Sequence, residues 1–154
     1  MTGASVARAA QVLLVEDNLD DVFLTRAGLV RSQVSLVLHH VPDGKECMAF
    51  LRREGSYEGA PTPDLILLDL NMPVMNGFEV MREVAADENL CALPVVVLTT
   101  SESEQDILKM YRLRCSSYLT KPVDFNQFQT MIRDFSEYWF RLVLLPPNPH
   151  PTIE

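Results

Sequence analysis

Apolar and polar positions along the 154 residues fall into two textures that take turns. Short, mostly unbroken apolar runs cover Gln11 to Val15, Ser35 to Val41, Asp64 to Asp69, Val95 to Thr99 and Ser117 to Thr120. Such runs are too short for helices and suit strands covered on both faces. Each is followed by apolar residues at helical spacing. Val22, Phe23, Arg26, Ala27, Leu29 and Val30 follow Asn18, a good N-cap. Lys45 to about Arg53 follows the stop Pro42-Asp43-Gly44, and Phe78 to about Ala86 follows the turn Asn76-Gly77. Ser101 with Glu104 forms a capping box ahead of Asp106, Ile107, Met110 and Leu113. Asp124 with Gln127 caps a stripe of Phe125, Phe128, Met131, Ile132, Phe135, Trp139 and Leu142, and this helix can run as far as Leu144 before Pro146-Pro147. Glu54 to Pro63, polar with two glycines and two prolines, reads as a surface connection. Strands alternating with helices predict an α/β, doubly wound, five-stranded parallel sheet with helices on both faces, a three-layer sandwich. Right-handed crossovers leave few topologies, and the strand order 2-1-3-4-5 is one of them.

Composition narrows the function classes. Apolar content of 47% and charged content of 22% are ordinary for a soluble globular chain. No apolar segment approaches the roughly 18 residues that a membrane helix needs. MTGASVARAA at the start has no hydrophobic core of a signal peptide. A net charge of −8 argues against nucleic acid as a partner, since a basic stripe would be expected there. Cys47, Cys91 and Cys115 are odd in number and far apart, so they are expected as buried or half-buried thiols of a cytoplasmic protein. The expected organisation is a flexible lead over 1–10, one domain over 11–145, and a Pro-rich tail over 146–154.

Four predicted strands end in reactive groups. Glu16-Asp17 follow the first, Asp69 the third, Thr99 closes the fourth, and Lys121 follows the fifth. Taken alone, Asp69 could merely close a strand or cap the next helix. In the order 2-1-3-4-5, however, the first and third strands are neighbours, so three carboxylates meet at the switch point where such sheets bind ligands. They cannot share a small space as anions without a counterion. Mg²⁺, a hard cation that takes oxygen ligands, would answer this, with the Asn71 backbone carbonyl as a further ligand. Lys121 and Thr99 suit phosphoryl oxygens, and an Asp carboxylate can itself be a nucleophile.

These residues resemble the CheY-like receiver domain, the response-regulator half of two-component signalling, over about Gln11 to Trp139. The resemblance rests on Val15-Glu16-Asp17-Asn18, Leu68-Asp69-Leu70-Asn71-Met72-Pro73, Gly77, Thr99 and Tyr118-Leu119-Thr120-Lys121-Pro122. It implies a flavodoxin-like fold and a phosphoacceptor Asp69. It also implies a Mg²⁺ site of Glu16, Asp17, Asp69 and the Asn71 carbonyl, with Thr99 and Lys121 on the phosphoryl oxygens. Tyr118 would be the switch aromatic, with Thr99, and the Lys121-Pro122 peptide would be cis. Leu98-Thr99-Thr100-Ser101, Glu104-Gln105-Asp106-Ile107 and the ending from Tyr138-Trp139 to Leu145-Pro146 are similar to the small regulators that pair with bacterial phytochromes. That likeness implies a bacteriophytochrome as the sensor histidine kinase. Thr100 stands where many receivers carry alanine and crowds the phosphoryl position.

The expectation is therefore a stand-alone regulator that catalyses only its own phosphorylation and slow hydrolysis, and signals by protein contact. Two rivals remain: a phosphorylation-independent flavodoxin-like adaptor, and an Asp-nucleophile phosphohydrolase. The second would want a carboxylate two residues after Asp69, where Asn71 stands. His39 and His40 are adjacent on a strand, face opposite ways and are expected as structural residues. Asp20-Asp21 is most simply a helix N-terminus satisfying the dipole. The apolar excess from Phe135 to Leu145 predicts an overhanging helix, with part of Trp139, Phe140, Leu142, Val143 and Leu144 uncovered, and hence a homodimer through this face. The alternative is that Val143 to Pro147 folds back over its own domain.

Overall fold

Five parallel strands, β1 (Ala10–Val15), β2 (Leu36–Val41), β3 (Leu65–Leu68), β4 (Val95–Thr99) and β5 (Ser117–Thr120), form one sheet in the order β2-β1-β3-β4-β5. The computed structural model describes residues 9–147. Most of the expected lead, most of the expected tail and His150 lie outside the described residues. Helices α1 (Leu19–Arg31), α2 (Gly44–Arg52), α3 (Gly77–Ala86), α4 (Glu104–Arg112) and α5 (Phe125–Glu137) fill the crossovers. The Glu54 to Pro63 connection contains only a single 3₁₀ turn, Gly55–Tyr57. No helix among the described residues is long and apolar enough to cross a membrane.

The apolar runs are strands because both faces of the sheet are covered. In β1, Leu13 and Val15 join Ile66, Leu68, Val95 and Val97 beneath residues of α2, α3 and α4, such as Met48, Val80 and Met110. The alternate residues Val12 and Leu14 join Leu65, Leu67, Val96 and Leu98 against Leu29 of α1 and Phe128 and Ile132 of α5. Each fully buried Leu or Ile of this kind contributes about 1.5–3 kcal/mol. In α1 the core face is Val22, Leu24, Thr25, Gly28 and Leu29, whereas Phe23 and Val30 of the expected stripe are exposed. The reason is the tight α1–α5 contact: a Cβ on Gly28 would stand 2.7 Å from that of Ile132, which fixes which side of α1 turns inward.

Two further expectations are corrected. Ser103, not Ser101, caps α4, its side chain accepting from the Asp106 N–H. Ser101 is instead held in the loop, where its hydroxyl donates to the Asp106 carboxylate at 2.7 Å. The last helix gives way at Tyr138–Leu142 to a π-turn, which ends at Val143. The wider turn lays Trp139 and Phe140 partly against the α1–α5 core, with Phe140 edge-on to Phe135 at 6.2 Å between ring centres. Leu142 and Leu144 remain exposed. Beyond them the chain turns back toward its own domain, since Pro146 and Pro147 line a small cleft with Pro63, Leu93 and Pro94.

Gly77 is required by a close approach. Its N–H donates to the Leu70 carbonyl at 2.9 Å, and a Cβ there would collide with the Asp69 carbonyl and stand 2.9 Å from the Leu70 Cα. The loop after β3 is thereby drawn tight against the residue that leaves the strand.

Candidate functional site

The sheet register sets the site. Val15, the last residue of β1, pairs with Val41 on one side and Leu68 on the other, so Glu16 and Asp69 leave the sheet at the same level. Backbone bonds hold them there: the Glu16 N–H donates to the Val41 carbonyl and the Asp69 N–H to that of Val15, each at 3.1 Å. Thr99 pairs with Thr120, and the Lys121 N–H donates to the Thr99 carbonyl at 2.8 Å. Parallel strands thus bring all four reactive ends to one edge, as their order predicts. Glu16, Asp17 and Asp69 each offer a carboxylate oxygen within 4.8 Å of the others. Asn71 lies two residues beyond Asp69, on the exposed part of the loop.

Lys121 stands inside this group with its side chain only 6% exposed. Its Nζ lies 2.6 Å from Glu16 Oε1, 2.8 Å from Asp21 Oδ2 and 3.4 Å from Asp69 Oδ2. Asp21 is therefore more than a partner of the helix dipole, a function that its exposed neighbour Asp20 is left to serve. No local signal marks the pairing, because Lys121 lies 100 residues away and Asp21 reads as an ordinary acid of a helix start. The second oxygens of Asp69 and Glu16 are also engaged. Asp69 Oδ1 accepts from the Leu70 N–H at 2.8 Å, and Glu16 Oε2 from the Asn18 N–H at 3.2 Å.

Thr99 is fully buried, and its hydroxyl oxygen accepts from the Ser101 N–H at 3.3 Å. That leaves its proton for another acceptor. The half-buried Tyr118 donates its hydroxyl to the Ser101 carbonyl at 2.9 Å, tying β5 to the loop that follows Thr99. The Lys121-Pro122 peptide is not cis, for no cis peptide bond occurs among the described residues. The trans form is the intrinsic preference even before proline, by about 0.5–1 kcal/mol. His39 and His40 do face opposite ways: His39 Nε2 meets Gln11 Oε1 at 2.6 Å, whereas His40 Nε2 meets the Glu16 carbonyl at 2.7 Å. His40 thus braces the acidic loop, a role its sequence position did not suggest. Cys47 and Cys115 are buried free thiols, but Cys91 is exposed, because the segment after α3 runs over the surface.

Burial pushes the Glu16 carboxyl up to about 8, and the negative charge of Asp69 works the same way, against the opposing pull of Lys121. Burial alone would lower the Lys121 ammonium, but the Asp21 and Glu16 carboxylates outweigh it and hold its pKa above the ordinary range. Folded Glu16 therefore binds its proton more tightly than unfolded Glu16, whose carboxyl has the ordinary value of 4.5. The stability this lends is full below that value and is lost as pH rises through about 8. Lys121 is charged in both states over this window and contributes no slope. In chelator, the melting temperature should fall steadily from pH 5 to pH 8.5, and Glu16→Gln should flatten most of that fall. A wild-type melting temperature constant across the window would contradict the account.

Comparison with known proteins agrees with this geometry. The sequence profile of the response regulator receiver domain matches residues 12–133. Response regulator Rcp1 of Synechocystis sp. is 41% identical over 135 residues, covering 88% of this chain and 92% of the relative. The phosphorylated cyanobacterial phytochrome response regulator RcpA superposes with a TM-score of 0.87 at 41% identity, over 91% of this chain and 100% of that one. The Mn²⁺-bound form of Rcp1 gives 0.86 at 40% identity, over 90% and 99%. The bacteriophytochrome response regulator AtBRR gives 0.70 at 38% identity, over 86% and 96%. An acidic cluster able to hold a divalent cation, on a five-stranded sheet of this order, is what the relatives lead one to expect. The chain is a response regulator receiver domain.

Proposed function

We propose that Asp69 is the phosphoacceptor of this receiver, that residues 11 to 145 form the unit, and that the donor is a phosphohistidine of a phytochrome-type sensor kinase. The observation that carries the reading is the placement of Asp69 at the strand end, beside two further carboxylates and 3.4 Å from the Lys121 ammonium. Asp69 Oδ2 attacks phosphorus; the O–P bond forms as the P–N bond to the donor imidazole breaks. That bond's electron pair stays on the ring nitrogen, which takes up a proton. Lys121 and the Thr99 hydroxyl donate to phosphoryl oxygens. Water later attacks phosphorus, returning the carboxylate and releasing phosphate, and the chain catalyses nothing else.

Glu16, Asp17, Asp69 and the Asn71 carbonyl would hold Mg²⁺, since all are oxygen donors of the kind a hard cation takes. Bound there, the ion would offset the clustered negative charge and draw density from a phosphoryl oxygen. Tyr118 and Thr99 form the switch, because Ser101 is bonded to both and any pull on Thr99 reaches the tyrosine hydroxyl. Leu19 and Phe23 on α1, with Val123 and Phe125 entering α5, are exposed apolar side chains flanking the Asp21–Lys121 pair and suit the kinase. The net charge of −8 favours a protein target over nucleic acid, and the free thiols are in keeping with the cytoplasm.

A groove of about 790 Å³ between β5 and α5, with Leu119, Met131, Phe135 and Trp139 among its walls, supports a twofold homodimer across this face. The exposed Tyr138 extends the same apolar surface. Light scattering after size exclusion at micromolar concentration should give twice the mass of one chain, falling to one chain for Thr130→Arg at the groove wall. A single-chain mass at every concentration would end the dimer reading.

Acetyl phosphate with Mg²⁺ should label Asp69 alone, read by borohydride trapping and peptide mapping. Asp69→Asn should abolish labelling. Asp17→Ala should demand on the order of tenfold more Mg²⁺ for half-maximal labelling. Labelling of Asp69→Asn at the wild-type level would refute the assignment.

A further inference from the structure

Among the described residues Lys121 is the one ammonium beside the four carboxylates of the site, and the distances show how its three hydrogens are divided. Glu16 Oε1 at 2.6 Å and Asp21 Oδ2 at 2.8 Å are short, charge-assisted contacts from two sides. Asp69 Oδ2 at 3.4 Å is too long for one. An ammonium carries three donors and no acceptor, so two fixed bonds settle the direction of the third. Asp21 can do this because its backbone is tied down independently of its carboxylate. Its N–H donates to the Asn18 side chain at 3.1 Å, and its carbonyl accepts from the Thr25 hydroxyl at 2.8 Å. Thr25 is itself buried, and α1 is locked to α5 through Gly28 and Ile132. The Asp21 carboxylate, 20% exposed, thus stands on a helix anchored to α5 and not on the loops around Asp69.

We propose that Asp21 is a positioning residue for phosphoryl transfer: with Glu16 it holds two Lys121 hydrogens and aims the third at the place where a phosphoryl oxygen on Asp69 arrives. The proposal rests on the reading of Asp69 as phosphoacceptor and deepens it. Asp21 takes no part in bond making and touches no reacting atom; it acts through Lys121. Without it the ammonium would turn on its flexible stem and its free donor would be aimed only part of the time. Such a loss of orientation reduces the rate of the bound complex and leaves donor affinity largely as it was.

Two measurements test this on the full chain. The first uses metal-free protein and reads the ¹⁵N–¹H signal of the Lys121 ammonium, assigned through Lys121→Arg. Wild type should show a resolved signal protected from solvent exchange, and Asp21→Asn should exchange on the order of tenfold faster. Asp20→Asn removes the same charge from the same helix turn, yet should leave the signal unchanged. The second follows phosphorylation by acetyl phosphate at saturating Mg²⁺. Asp21→Asn should lower the saturating rate on the order of tenfold, with little change in the half-saturating donor concentration, while Asp20→Asn behaves as wild type. Equal loss in both variants would make the effect one of net charge and overturn the proposal. So would an unchanged ammonium signal, or a rate in Asp21→Asn equal to or above wild type. Failure of wild type to label at all would instead overturn the phosphoacceptor reading, leaving the ammonium signal to judge Asp21.

Discussion

The structure turns on an electrostatic imbalance: Glu16, Asp17 and Asp69 cluster at one edge of the sheet, and, among the described residues, Lys121 is the one ammonium there, held by Glu16, Asp21 and Asp69. Two unit charges 4–5 Å apart repel by roughly 3–4 kcal/mol at an effective dielectric near 20. A whole domain is stable by only about 5–15 kcal/mol. Several such pairs cannot all stay ionised and uncompensated in one small domain. Lys121 offsets part of the repulsion, and burial, with the charge of Asp69, raises the Glu16 carboxyl to about 8, so that it takes up a proton more readily than an exposed carboxyl. A site left short of positive charge in this way has a standing affinity for a divalent cation. The same shortage makes cation and phosphoryl group interdependent, since each new negative oxygen deepens the deficit that the cation relieves.

The rest of the fold serves to hold that imbalance in place. The β1–β3 register puts Glu16 and Asp69 at one level, and the β4–β5 register does the same for Thr99 and Lys121. The cores on the two faces take alternate residues of the strands, so sliding a strand by one residue would send each side chain into the opposite core, packed for a different neighbour. Gly77 closes the loop behind Asp69, and Tyr118 fastens the loop behind Thr99. The charged groups are thus fixed by apolar packing that has no chemistry of its own.

Much of this was legible in the sequence because it is local or topological. Strands buried on both faces write themselves as apolar runs, and parallel order then dictates which residues share an edge. What stayed hidden depends on distant partners or on competing local solutions. Asp21 meets Lys121 across 100 residues of chain, and nothing near either residue distinguishes that pairing from a helix-dipole acid. Ser101 and Ser103 offer α4 two caps of similar chemistry, and the choice is made by Thr99 and Tyr118, which draw Ser101 into the loop. The spacing of Phe23 and Val30 is helical, but which face turns inward is decided by Gly28 against Ile132. The π-turn at Tyr138–Leu142 rotates Trp139 and Phe140 off the straight-helix phase, so an expected overhang is partly tucked in.

Positive charge is what the site lacks, and the raised Glu16 carboxyl marks the shortage. Calorimetric titration of Mg²⁺ at pH 7, repeated in buffers of different ionisation enthalpy, tests it most directly. Binding should release on the order of one proton per ion, because the ligands must be deprotonated, and Glu16→Gln should abolish the release. Mg²⁺ binding with no proton released, in wild type and variant alike, would contradict the claim.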